Sequence, residues 1–458
     1  MKQVKTKTIR SGRWSAETSP VPLRPYEFPD EFVFGAATSA YQIEGGIDAA
    51  SGRGRSIWEP YFEKRPGSDT GEIACDHYNR MPEDVRLFKK MGLQAYRFSV
   101  AWPRVLPQGV GAVNDKGLDF YKRLVDELLA AGIEPYLTGY HWDLPQALEE
   151  RGGWNSRDTA RHFGDYMELL ARTLGDRVKY WGTLNEPAVV LSGYTSEGLA
   201  PGRNDPKLWA PVVHNLMLAH GHGAAAIRSV NPELIVGCTV NLVPIEPANK
   251  SARHAARRLW QRDYAVFLDA MLKGEYPKIV RKEMEASGLQ ILPGDMELIG
   301  SGLDYLGVNW YLRLVVNRLG RVIPVPAAEI TQVGWEMHAE SLTSMLVAMQ
   351  EEYELPPIFI TENGAAIDDK IEGAWIHDTV RMKYIHDHLN ALESAIARGV
   401  DVRGYFAWSA LDNLEWASGF RMTFGLVHVD RKTLKRTLKD SAYWYRDMIN
   451  INQGSNAA

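Results

Sequence analysis

Cysteine is nearly absent: Cys75 and Cys238 are the only two in 458 residues. Two thiols so isolated build neither a disulfide framework nor a thiolate metal site, and both are expected to sit reduced and inert. No run approaches the ~18 consecutive apolar residues of a membrane-spanning helix. The start, MKQVKTKTIRSGRWS, carries charge without the apolar core of a secretory leader, so the cytoplasm is the expected location. Basic charge is not in excess either. The 52 Lys and Arg against 57 Asp and Glu leave a formal −5, which argues against a nucleic-acid surface. The short basic runs KQVKTKTIR and KTLKR (432–436) read as a solvated tail and loop. GxGxxG, Walker and HExxH patterns are missing, and His220 and His222 follow His214 by 6 and 8 positions, which is not the spacing of a zinc pair on one helical face. Neither a metal nor a cofactor is expected.

What is present is ordinary globular composition, 45% apolar and 24% charged, together with 14 Trp and 20 Tyr. Residues 1–27 carry Pro20, Pro22 and Pro25 without periodicity and read as an extended arm. Residues 451–458 read as a tail. Between them eight β-forming runs alternate with helical patterns: FVFGAAT (32–38), AYRFSV (95–100), EPYLTGY (134–140), VKYWGTL (178–184), IVGCTVN (235–241), DYLGVNW (304–310), PIFIT (357–361) and VRGYFAW (402–408). Segments 116–132 and 157–175 have the helical period, with Gly132 and Gly175 as expected C-terminal glycines. Near-continuous apolar strands alternating with helices predict parallel strands buried on both faces. Their natural closure is a (β/α)8 TIM barrel spanning 28–450 as one domain, and the competing arrangement is an open doubly wound sheet. Segment 312–356, with Pro324 and Pro326, reads as an irregular insertion on the catalytic face.

A barrel collects its functional groups at the C-terminal strand ends. Reading past each run gives Gln42, Arg97, His141 with Trp142, Asn185 with Glu186, Asn309 with Tyr311, Glu362 with Asn363, and Trp408 with Asp412, Glu415 and Trp416. Seven of the eight ends contribute. Carboxylates, amides, a histidine and indoles together are the inventory of a sugar pocket. Glu186 in TLNEP and Glu362 in ITENG lie 362 − 186 = 176 positions apart, so only a fold unites them. Hydrolysis of a glycosidic bond needs two such carboxyls, one to protonate the leaving oxygen and one to attack or to activate water. Arg97 is the candidate to keep a nucleophile ionised, and Asn185 can reach a substrate 2-hydroxyl. Glu44, Asp143 and Asp412 are read as structural, and Trp58, Trp154 and Trp260 as packing residues.

FGAATSAYQIEGG, YRFSVAWPRV, YHWDLPQAL, TLNEP, GVNWY, ITENG and WSALDNLEW followed by FGLVHVD resemble, in order and spacing, the family 1 glycoside hydrolases typified by β-glucosidases. The resemblance covers about residues 28 to 450. It implies a retaining double displacement with Glu186 as acid/base and Glu362 as nucleophile, with Tyr311, Arg97 and Asn309 beside them. Gln42, His141, Trp142, Asn185, Trp408, Glu415, Trp416 and Phe424 would then hold the non-reducing sugar of a small β-glycoside. The family's phospho-sugar branch has a serine, a lysine and a tyrosine where this chain has Glu415 and Trp416, and the thioglucosidase branch has glutamine in place of Glu186. An unphosphorylated glycone, most simply glucose, follows. Galactose and fucose, a transglycosylase with the same carboxyls, and a catalytically silent sugar-binding barrel remain as alternatives. Ala410 for the usual leucine, the wording of TQVGWEMHAESL (331–342) and the long arm bear on the aglycone and not on the reaction.

Overall fold

The computed structural model describes residues 14–48 and 50–455. Eight parallel strands close into a barrel: β1 Val33–Ala37, β2 Ala95–Ser99, β3 Glu134–Tyr140, β4 Tyr180–Asn185, β5 Ile235–Asn241, β6 Tyr305–Asn309, β7 Ile358–Asn363 and β8 Val402–Trp408. Each pairs with its chain neighbours, and β8 returns to β1 with Val33 opposite Gly404 and Ala37 opposite Trp408. Every expected strand is found. The open-sheet alternative is excluded by this closure. No helix among the described residues is long and apolar enough to cross a membrane.

Alternation along each strand sends one set of side chains outward to the helices and the other into the barrel. The inner set is aromatic where the interior is filled: Tyr136 stacks on Tyr180 at 4.1 Å, meets Phe406 edge-on at 4.9 Å, and Tyr305 meets Phe359 edge-on at 5.4 Å. Rings of that size fit because small residues stand opposite them. A Cβ on Gly237 would lie 2.5 Å from the Tyr305 ring, and one on Gly35 would lie 2.6 Å from Phe406 and 2.7 Å from the Ala95 carbonyl oxygen. This aromatic plug is the floor on which the polar residues of the upper strand ends stand.

Four expectations need amendment. Segment 312–356 is irregular only in part, because Glu340–Glu352 is a helix that buries Leu342, Met345, Leu346 and Met349 at helical spacing. Gly132 has the left-handed φ of +77° of a C-terminal glycine, whereas Gly175 stays right-handed at −70° with its N–H bonded to the Ala171 carbonyl. KTLKR is not wholly solvated, since Arg436 is buried against Asp84 through bonds of 2.8 and 3.0 Å. The last helix, Asp440–Ser455, runs past 450 into the expected tail.

KQVKTKTIR lies outside the described residues, while the described part of the arm, from Trp14 on, is tied to the barrel. Trp14 Nε1 donates to Asp447 at 2.9 Å, Arg24 pairs with Glu393, and the Tyr26 N–H reaches Asn452 at 2.7 Å. Cys75 and Cys238 are free and buried, and burial pushes their thiols up to about 12 and about 11. His214 is held by Asp295 and Tyr276, and His220 by Thr183.

Gly35→Ala should cost about 1–3 kcal/mol of stability, because the added methyl meets a ring and an immovable backbone carbonyl. Urea denaturation of the variant checks this. An unchanged midpoint would mean that the plug can move aside.

Candidate active site

Two irregularities in the sheet aim the carboxylates. Between β6 and β7 the pairing steps from Val308 opposite Ile360 to Asn309 opposite Glu362, so β7 carries one extra residue. Phe359 points in and Ile360 packs outward, so plain alternation would send Glu362 out to the helices. The extra residue turns it inward. Asn363 takes the outward position instead, donating to the Trp310 carbonyl at 2.7 Å and accepting from Tyr405 at 2.8 Å. The same happens on β4, where Gly182 faces Gly237 but Asn185 faces Thr239. Glu186 follows in the left-handed region at φ 51°, with its N–H on the Thr239 carbonyl and Pro187 opening the next helix, Pro187–Thr195.

Arg97, on β2, rises from the barrel axis and ties these pieces together. Its Nη1 donates to Glu362 Oε1 at 2.7 Å and its Nη2 to Asn185 Oδ1 at 2.6 Å. Tyr311 donates to the other Glu362 oxygen at 2.7 Å. Thr361 donates to Asn309 Oδ1 at 2.7 Å, which turns the Asn309 amide nitrogen toward Glu186 Oε1 at 2.6 Å. Asn185 Oδ1 also accepts from Asn309, so its Nδ2 faces His141 Nε2 at 3.1 Å. Burial and the charge of Arg97 hold the His141 pKa well below its usual value. The ring is therefore neutral, accepts at Nε2, and keeps its proton at Nδ1, an atom with no protein partner.

Above this network lies a cavity of about 370 Å³, lined by Glu186, Glu362, Asn309, Tyr311, His141, Trp142, Trp408, Glu415, Trp416 and Phe424 among others. Trp142 and Trp416 also adopt left-handed backbone, at φ 77° and 46°. Trp142 Nε1 donates to the Asn185 carbonyl, its own carbonyl accepts from Trp58 Nε1, and Trp58 stacks on Trp416 at 4.5 Å. Trp58 and Trp154 are buried packing residues and Trp260 is half-buried. Glu44 is committed to Arg104 and Tyr121, and Asp412 to Lys439 and the Gly425 N–H, in line with structural roles.

Three expected sugar or nucleophile contacts stand behind the lining and not in it. Arg97 reaches the cavity only through Glu362 and Asn185. Gln42 spends both amide hydrogens on Asn413 and the Leu414 carbonyl and accepts from Ser39. Asn185 has its oxygen taken by Arg97 and Asn309, which leaves one amide hydrogen for a substrate hydroxyl. Conversely the fifth strand end, read from sequence as empty, brings Asn241 into the lining with its Oδ1 unpartnered. Asn241 is the last letter of the run IVGCTVN and was counted as strand. Trp335, its ring tilted against that of Tyr311 at 5.3 Å, comes from the insertion and carried no signal.

Burial pushes three carboxyls up together. Glu186 rises to about 8, from desolvation first and the Glu362 charge second, against the Asn309 hydrogen bond. Glu415 rises to about 8 for the same two reasons, and its Oε2 has no protein partner. At Glu362 burial also raises the pKa, but Arg97 and Tyr311 act against it. A proton shared by the Glu186–Glu362 pair therefore settles on Glu186. One carboxyl that donates and one that stays ionised, facing the same space, can cleave an acetal.

The model of glycosyl hydrolase family 1 matches residues 24–454. The chain is 43% identical over 440 residues to a 1,4-β-D-glucan glucohydrolase of Thermotoga neapolitana, covering 93% of this chain and 99% of that protein. It is 46% identical to thermostable β-glucosidase B of Thermobispora bispora, covering 93% and 91%. Among solved structures, the β-glucosidase from Thermotoga maritima in complex with deoxynojirimycin superposes with a TM-score of 0.89 at 41% identity, over 93% of this chain and 99% of that one.

A carboxyl raised from 4.5 to about 8 binds its proton more tightly in the folded chain. Its stabilising contribution is complete below pH 4.5, falls as pH rises, and is gone above pH 8. The melting temperature of Glu186→Gln should therefore exceed that of the parent by a margin that widens from pH 5 to pH 8. A margin constant over that range would show that Glu186 titrates normally.

Proposed function

The chain belongs to glycosyl hydrolase family 1, and on that footing we propose that Glu362 is the nucleophile and Glu186 the acid and base of its reaction. The activity is that of a retaining β-glucosidase, which hydrolyses terminal non-reducing β-glucosyl residues of small β-glucosides. The observation that supports the two assignments is the unequal setting of the carboxyls. Glu362 is gripped by a guanidinium and a phenol, while Glu186 has one amide and a raised pKa.

In the first step Glu362 attacks the anomeric carbon while Glu186 gives its proton to the glycosidic oxygen. The carbon–oxygen bond breaks and the alcohol leaves. In the second step Glu186, now ionised, takes a proton from water, whose oxygen attacks the same carbon and releases Glu362. Two inversions return the β-anomer. Arg97 and Tyr311 hold Glu362 in place and stabilise its charge before attack, and Asn309 orients Glu186. Glu415 Oε2 and His141 Nδ1 are the unpartnered atoms that sugar hydroxyls would satisfy, with Trp408, Trp416 and Phe424 against the ring's apolar face. None of the residues lining the cavity is Lys or Arg, which supports an unphosphorylated glycone. An acceptor sugar could replace water in the second step, and the expected cytoplasmic location belongs to the same proposal.

Proton NMR of the first product from a nitrophenyl β-glucoside should show the β-anomer, and an α-anomer would mean single displacement. Glu362→Ala should lose roughly 10⁴-fold or more in turnover and recover part of it with azide, giving the α-glycosyl azide. Loss without rescue removes Glu362 as nucleophile. Glu186→Ala should slow substrates with poor leaving groups at least about 10²-fold more than activated aryl glucosides. Equal losses on both would remove Glu186 as the acid.

A further inference from the structure

Tyr311 stands on backbone that no strand or helix fixes, two residues past the end of β6, yet its phenol meets Glu362 Oε2 at 2.7 Å. Its aim has to come from elsewhere. The peptide units on either side of its Cα are both pinned from behind, because Asn363 Nδ2 donates to the Trp310 carbonyl at 2.7 Å and the Tyr384 hydroxyl donates to the Tyr311 carbonyl at 3.3 Å. With both peptides held, the direction of the side chain between them is set. The two pins belong to one chain of hydrogen bonds. Tyr405 on β8 donates to Asn363 Oδ1 at 2.8 Å, which turns the Asn363 amide nitrogen toward the Tyr384 hydroxyl at 3.1 Å. That hydroxyl accepts from Asn363, so its own proton goes to the Tyr311 carbonyl. Tyr384 belongs to the helix Thr379–Ile396, and His388, one turn later on the same buried face, stacks on its ring at 3.9 Å and donates from Nδ1 to its carbonyl at 2.7 Å. Tyr384, Asn363 and Tyr405 are all buried, and none of the three lines the cavity.

We propose that Tyr384, on a helix outside the barrel, is a positioning residue of the reaction: with Asn363 it holds the Tyr311 backbone so that the Tyr311 phenol meets Glu362. The inference rests on Glu362 being the nucleophile and adds a group that acts on it without touching substrate. A tilt of about 10–20° takes a side chain out of productive geometry, and without the Tyr384 hydroxyl one of the two pins on Tyr311 is gone. A weaker phenol bond leaves the ionised carboxylate less favoured, so the Glu362 pKa rises. The charged and titratable groups that face Glu362 are Arg97 on β2, His141 after β3, Glu186 after β4, Tyr311 after β6 and Glu415 after β8. Of these, Tyr311 is the one bonded to Tyr384.

The acidic limb of kcat/KM against pH, measured on the purified chain with a nitrophenyl β-glucoside, reports the nucleophile in the free enzyme. Tyr384→Phe keeps the ring and its stack on His388, and it should move that limb upward by about 0.3 pH unit or more and lower kcat/KM at the optimum by about threefold or more. Asn363→Ala should move the limb in the same direction. Tyr311→Phe removes the phenol bond itself and should move it furthest. Added to Tyr311→Phe, the Tyr384→Phe change should shift the limb no more, because no phenol is left to aim. A lower melting temperature with an unmoved limb in Tyr384→Phe would make Tyr384 a structural residue only and overturn the inference, as would a further shift in the double variant. A limb that stays in place even in Tyr311→Phe would mean that the assignment of Glu362 has failed and the inference with it, so the two failures are told apart.

Discussion

One cation lies beneath three buried carboxyls, and the chemistry of the site follows from how it is shared. Arg97 bonds Glu362 directly, touches Glu186 only through Asn185 and Asn309, and has no contact with Glu415. A single guanidinium in a place shielded from water cannot support three negative charges. The carboxyl it touches keeps its charge, and burial first and that charge second push Glu186 and Glu415 up to about 8, so both hold protons. The position of Arg97 depends in turn on the barrel interior. Its strand can hold a long side chain upright on the axis because the layer beneath is closed by Tyr136, Tyr305, Phe359 and Phe406, and that layer exists because Gly35 and Gly237 leave room for the rings.

The same dependence explains what could be read from the residues beforehand. Eight strands were legible because parallel strands buried on two faces are near-continuous apolar runs, and the residues read at their ends include nine of the 21 that line the cavity, both members of the Glu186–Glu362 pair among them. The direction of Glu362 was not legible. Counting along β7 from Phe359 puts it outward, and only the extra residue between Ile360 and Glu362 reverses that. A bulge is a relation between two strands, and one strand's sequence does not display it. The commitments of Gln42 and Asn185 were hidden for a similar reason, because their amides are spent on residues far away in sequence. The helix 340–352 and Asn241 were visible in principle, the first in its 342, 345, 346, 349 spacing and the second as the polar last letter of a strand.

Three residues of the cavity sit in left-handed backbone that a side chain adopts at a cost of about 1–3 kcal/mol each: Trp142, Glu186 and Trp416. Each is pinned by a neighbour's backbone or ring. Glu186 is held through Thr239, Trp142 through Trp58 and Asn185, and Trp416 by stacking on Trp58 and by the Glu415 to Gly419 backbone bond. Trp58 thus supports two of the three from behind although it does not line the cavity.

The unpartnered atoms give these costs a direction. A buried polar atom without a partner costs stability, and in this fold Glu415 Oε2, His141 Nδ1 and Asn241 Oδ1 all open on one cavity. Other buried polar groups nearby, such as Asn309, Asn363 and Asp412, are fully engaged, so the fold is able to satisfy such atoms where it needs rigidity. These three belong to residues of the cavity lining, where a ligand can satisfy them, whereas others, such as both oxygens of Asp143 and Nε2 of His220, lie elsewhere in the fold.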